Sequence, residues 1–209
     1  MHARIGTSRV STQEWATLRV MASRPKRENW SDSPPQNWAE REAYRFSRVV
    51  QELRRGRSAQ WLSDETHKLG HRVSRAVISD LETGRRRYVT TSELLVLAAA
   101  LETSPVTLMY PGPYQDQVEI LPGLDGTQFD AAQWFSGDGT RGLTPDPSTS
   151  RGRWLFHVQQ LRQWRRLETL EDRRRFLASE VDADRDQIAF YDEQIRDLKT
   201  ELQHGGEDA

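Results

Sequence analysis

The stretch VSRAVISDLETGRRRYVTT, Val73 to Thr91, decides how this chain is read. Ser74 is a residue type whose hydroxyl accepts the first free amides of a helix. Ile78 and Leu81 stand three apart, so they share one face of that helix. Gly84 falls where a left-handed C-terminal cap favours a residue without a β-carbon. Arg85, Arg86 and Arg87 follow at once. The spacing predicts a short amphipathic helix that ends in a strongly basic turn.

The flanks extend this into a helical domain over residues 39–110. Upstream, Phe46, Val49, Val50 and Leu53 repeat at i, i+3, i+4 and i+7, and Gly56 stops the helix they form. A second helix starts after Ser58 as cap and carries Ala59, Leu62, Thr66 and Leu69 on one face up to Gly70. Downstream, Thr90 and Glu93 have capping-box spacing ahead of Leu94, Leu97, Ala98 and Leu101. Ser104 and Pro105 open a short fifth helix. The second and third helices, joined by GHRV, have the form of a helix-turn-helix, whose second helix enters the major groove of DNA.

Composition bounds the alternatives. In a chain of 209 residues, 35% hydrophobic and 29% charged side chains argue against one large core. The absence of cysteine excludes disulfides and thiolate metal sites. The histidines, His2, His67, His71, His157 and His204, lack ligand spacing, so neither metal nor cofactor is expected. No signal-peptide run and no stretch of eighteen apolar residues occurs, which leads to the expectation of a soluble, cytoplasmic protein without a membrane partner. Residues 41–90 hold twelve Lys and Arg against six Asp and Glu, whereas residues 100–150 hold one against seven. The basic segment suits a polyanion. The acidic one is a candidate to lie against it when DNA is absent.

Beyond the helical domain, residues 1–38 show no sustained period and read as a mostly disordered extension, with Met21 as an alternative start. Residues 111–153 read as an irregular acidic linker rich in Pro and Gly. Within it Val118 and Ile120 alternate like a short strand, and QFDAAQWF makes one or two helical turns. There Trp134 and Phe135 either anchor the segment or line a ligand pocket. Residues 154–203 contain no Pro or Gly and predict a long helix or helical hairpin, with a disordered tail at 204–209. Leu177, Val181, Asp184, Ile188, Tyr191, Ile195, Leu198 and Leu202 are spaced alternately by four and three, a heptad seam. Leu167 and Leu170 continue that phase, whereas Trp154, Val158 and Leu161 fit a displaced register, so the repeat shifts near EDRRR. The seam predicts a homodimeric coiled coil. Its rivals are an intrachain hairpin and packing on the DNA-binding domain.

The residues Ile78, Ser79, Leu81, Glu82, Gly84 and Arg86 match an I-S-x-[IL]-E-x-G-x-R core. Leu94, Leu97, Ala98, Ala100 and Leu101 match the helix that follows it, and Thr103, Ser104, Pro105 and Leu108 match a closing turn. In these motifs the chain resembles the XRE family, the lambda-repressor-like helix-turn-helix regulators, over about residues 41 to 110. The longer THKLGHRVSRA connection is similar to that of actinobacterial and phage-borne members. The resemblance implies an all-α, five-helix DNA-binding domain and places the base-reading positions at Ser74, Arg75, Ala76, Ser79 and Asp80. Arg75 suits a guanine edge, Ala76 a thymine methyl and Asp80 a cytosine amine. It places phosphate contacts at Ser58, Gln60, Arg72, Arg85, Arg86, Arg87 and Tyr88, with Gln60 one position off the family's usual glutamine. Glu82 reads as structural, pairing with an arginine such as Arg86 or bonding backbone amides across the turn. No nucleophile motif or Gly-rich phosphate loop stands out, and no enzyme is expected. The leading expectation is a repressor that binds double-stranded DNA, of phage or chromosomal origin. The alternative is an antitoxin-like or adaptor protein whose C-terminal helix holds a partner protein.

Overall fold

The structure, a computed structural model, describes residues 29–139, 143, 147–180 and 184–204. Asn37 caps α1 (Trp38–Leu53), its side chain accepting from the Glu40 amide at 3.0 Å. Four shorter helices follow: α2 (Ala59–Lys68), α3 (Arg75–Thr83), α4 (Thr91–Ala100) and α5 (Pro105–Met109). Each is opened by the hydroxyl of the preceding Ser or Thr, at Ser58, Ser74, Thr90 and Ser104. Phe46, Leu62, Ile78, Leu97 and Leu108 supply one nearly fully buried side chain from each helix to a common core. Burial at this depth contributes roughly 1.5–3 kcal/mol per side chain. Leu69 is the exception to the expected pattern, being more than half exposed. It stands one residue past the end of α2, where the chain turns, and Val73 is buried after the turn instead. Thr66 pins that turn: its buried hydroxyl donates to the Ser63 carbonyl and accepts from the Val73 amide at 3.0 Å.

Residues 29–37, expected to belong to a mostly disordered extension, instead pack on the helical domain. Trp30 donates from its ring nitrogen to the Leu81 carbonyl at 3.2 Å, and its amide donates to the Thr83 carbonyl at 2.9 Å. It thereby satisfies carbonyls that the end of a helix leaves open. Residues 1–28, with Met21 among them, and the tail at 205–209 lie outside the described residues.

The acidic stretch is no irregular linker either, and the chain is mostly helical rather than all-α. β1 (Gln117–Leu121) and β2 (Leu124–Thr127) form an antiparallel hairpin with Val118 opposite Gly126 and Glu119 opposite Asp125. A capping box of Thr127 and Asp130 then starts α6 (Gln128–Phe135). Tyr110, Ile120 and Ala131 make a second small core. Ile120 packs directly over Gly126, where an added β-carbon would meet its Cδ1 at 2.7 Å and push that side chain aside. The unit docks on α1, where Trp38 donates to the Glu119 carbonyl and Arg41 pairs with the Glu119 carboxylate. Alternating apolar residues and a capping box were present in the sequence; the long-range partners that turn them into a packed unit were not.

The C-terminal region is a helical hairpin of α7 (Pro147–Ser179) and α8 (Arg185–His204). The first helix thus starts seven residues before the expected boundary at 154. Leu167, Leu170 and Leu198 form its buried centre, flanked by Tyr191, Ile195 and Leu202. Arg174 pairs with Asp192 and Lys199 with Glu171 across it. One expectation is corrected. The seam does not run along one helix, because Asp184 is exposed and its carboxylate accepts from the amides of Asp186 and Gln187, capping α8. The displaced register of α7 has its own partner: Trp154 stacks on Trp134, with ring centroids 6.4 Å apart, and donates to the Gly139 carbonyl. Val181 lies outside the described residues.

Candidate nucleic-acid interface

α3 turns Ile78 and Leu81 into the core and leaves Ser74, Arg75 and Ala76 exposed on the other side. The acidic unit does not cover them. Ser74 spends its oxygen on the cap, accepting from the Val77 amide at 3.3 Å. Ser79 and Asp80, one turn further on, are half-buried, and Asp80 is drawn toward Arg85 at 3.3 Å. The positions expected to read bases therefore divide into an open group at the helix start and a shielded pair near its end.

The three arginines after Gly84 have different environments. Arg85 is exposed. Arg86 pairs with Glu93 through both oxygens, at 2.5 and 2.9 Å, and lies over the Tyr88 ring. Burial pushes the Glu93 carboxyl up, but its bonds to Arg86 and Thr90 outweigh this and hold it below the usual carboxylate range. Arg87 donates to Glu40 and to the Ser33 carbonyl and stands over Trp30. A backbone amide at Gln36 and the Arg87 guanidinium together hold Glu40 low, against a smaller burial penalty. Arg86 and Arg87 thus brace the turn from within rather than standing open on it, since their partners were not adjacent in sequence. Tyr88 remains 62% exposed.

Ser58 caps α2 and is exposed, Gln60 donates to Asp64 at 2.9 Å, and Arg72 reaches the same Asp64 oxygen at 2.9 Å. These two exposed side chains are held together by one carboxylate. Glu82 is indeed structural, but its partner is Arg54 rather than Arg86. Of the cations between residues 41 and 90, all but Arg55 and Arg75 donate to an acceptor within the described residues. Arg75 sits at the first position of α3; Arg55 sits in the turn after α1, in the left-handed region at φ 50°. Reasoning from sequence missed Arg55, although a charged residue directly before Gly56 was a visible sign of an exposed turn.

Among the described residues no group of three or more His, Asp or Glu side chains is arranged to hold a metal ion, and no helix is long and apolar enough to cross a membrane. Comparison with protein-family models, with curated proteins and with solved structures returned no match.

Proposed function

We propose that this chain is a DNA-binding transcriptional regulator, a repressor of the lambda-repressor-like type, that sets α3 into the major groove of a double-stranded operator. The observation that carries the reading is Arg75: an exposed guanidinium without an acceptor among the described residues, on the first turn of a helix whose opposite face is core. A major groove about 12 Å wide admits one helix, and an arginine there makes two hydrogen bonds to guanine. The one-per-helix core of α1 to α5 and the XRE-like motifs of residues 78–108 support the same reading. Ser74, Arg75 and Ala76 read bases. Arg85, Arg55 and the α2 start at Ser58 hold phosphates, while Arg72 and Gln60 contribute once Asp64 releases them. Repression follows from occupying DNA that polymerase needs.

The test is binding of the full chain to its own upstream intergenic DNA and to a scrambled duplex across a salt series. Wild type should prefer the native duplex and weaken as salt rises, by about 0.9 log units per log unit of salt for each phosphate held. Arg75→Ala should lose the preference and keep the fold. Equal binding to both duplexes by wild type would overturn sequence-specific regulation.

A second reading is favoured by the exposed aromatics of the hairpin, Phe156, Trp164, Phe176 and Phe190. Large apolar side chains left in water mark interaction surfaces. In the leading reading they join two copies, giving the homodimer that paired half-sites reward. In an antitoxin-like or adaptor protein they hold a different chain. Sedimentation of the purified protein separates these: a dimer favours the first, a monomer that binds a distinct protein through residues 147–204 the second.

A further inference from the structure

Between α1, the hairpin and α6 lies a cavity of about 350 Å³, at the small end of the roughly 300–1,000 Å³ range of small-molecule sites. Its walls are mainly aromatic, formed by Trp38, Tyr88, Tyr110, Trp134 and Phe135. Tyr88 and Phe135 stay exposed despite their size, as rings at the rim of an open site do.

Two polar groups on this cavity lack partners among the described residues. Tyr110 is 3% exposed, yet its hydroxyl makes no hydrogen bond within the described residues. Arg45 stands over its ring, 5.1 Å from the centroid. Glu42, also buried, accepts from Arg45 through Oε1, and its Oε2 has no donor among the described residues. Burial pushes the Glu42 carboxyl up against the pull of Arg45. Burial first, and the nearby Glu42 charge second, push the Tyr110 hydroxyl up. Both atoms open onto the cavity rather than being sealed in the core, so a molecule that enters it meets one acceptor and one hydroxyl beside the aromatic walls. The charges offer nothing to an ion, because Glu42 is matched by Arg45 and Arg87 by Glu40.

We propose that this cavity binds a small uncharged aromatic molecule whose hydrogen-bond donor is accepted by Glu42 Oε2, with a second hydrogen bond supplied by the Tyr110 hydroxyl. Stacking between Trp38, Trp134 and the rim rings supplies the apolar part. Arg87 and Tyr88 belong both to this wall and to the turn that follows α3. If the DNA-binding reading holds, the ligand is therefore an effector; the site itself does not depend on that reading.

The experiment needs no DNA, so its outcome is separate from that of the operator assay. The ¹⁵N-labelled full chain is titrated with indole and with 1-methylindole, which lacks the donor, and followed by NMR. Indole should give saturable shifts at the ring N–H of Trp38 and Trp134, and should bind about three- to tenfold more tightly than 1-methylindole. Tyr110→Phe should weaken indole-3-methanol, whose hydroxyl oxygen can accept from Tyr110, by a similar factor and leave indole itself unchanged, and equal weakening of the two would also overturn the assignment. Ala39→Phe, at an exposed residue of the cavity wall, should abolish the shifts. The absence of saturable shifts, equal affinity for indole and 1-methylindole, or unchanged binding in both variants would each overturn the proposal.

Discussion

Glu82, near the end of α3, presents both carboxylate oxygens to Arg54, in the turn after α1, and the two hydrogen bonds are 2.8 Å each. Both side chains are only 11% exposed. The pair ties the back of α3 to the helix it packs against, which sets the angle at which Arg75 leaves the surface. Removing one partner of a shielded, bidentate pair leaves a poorly solvated charge. Glu82→Ala and Arg54→Ala should each cost about 2–4 kcal/mol in urea unfolding, and the double variant less than their sum. Additive effects would show that the two do not act as a unit.

Gly84 carries two constraints at once. Its φ is +84°, and a β-carbon there would lie 2.5 Å from the Trp30 ring. Gly84→Ala should therefore destabilise by more than the roughly 1 kcal/mol that a left-handed alanine costs. In a Trp30→Ala background the ring is gone, and the same substitution should cost only that backbone share. Equal costs in the two backgrounds would show that Trp30 does not pack as described.

Arg75 and Arg86 should separate function from stability. Arg75 has no partner among the described residues, so Arg75→Ala should leave the thermal midpoint within about 1 °C, given that surface substitutions stay within about 0.5 kcal/mol, and should remove operator preference. Arg86→Ala breaks a pair whose side chains are 14% and 13% exposed. It should lower the midpoint by several degrees, since about 1 kcal/mol shifts it by a few degrees in a domain of this size. Calorimetry beside the binding assay reads both. A large stability loss in Arg75→Ala would remove it from the open face.

Acid should act through Glu93, Glu40 and Glu119, all held below the ordinary carboxylate value of 4.5. A depressed folded pKa means that the unfolded chain takes up protons first. The stability from these groups is therefore complete above about pH 4.5 and is lost as the pH falls through their lower folded values. Glu93→Gln should be less stable than wild type near neutrality, with the two curves converging below pH 4. A constant gap down to pH 3 would assign the loss to the altered cap instead.

Asp184 behaves oppositely in a cap and in a seam. As the cap of α8, Asp184→Ala should cost about 1 kcal/mol, Asp184→Asn should recover most of it, and Asp184→Leu should not stabilise. Stabilisation by leucine, read from the thermal midpoint, would restore the seam.

Much of the first domain was legible because its determinants are local. Ser58, Ser74, Thr90 and Ser104 announce helix starts within three residues of the amides they bind, and the stripes from Phe46 to Leu108 repeat at the helical period. Chain direction and spacing alone decide these features. What lay beyond reach depends on partners far apart in sequence. Trp30 meets α3 some fifty residues on, Arg87 meets Glu40 forty-seven residues back, and Arg54 meets Glu82 across twenty-eight. An arginine run reads the same whether solvated or braced; only the tertiary contacts divided it into the exposed Arg85 and the internal Arg86 and Arg87. The heptad spacing likewise marked Tyr191, Ile195, Leu198 and Leu202 as residues that would be covered, but not by what, and wrongly included Asp184. The reversal between Ser179 and Arg185 decided that, because a hairpin buries within one chain the same apolar stripe that a coiled coil would bury between two.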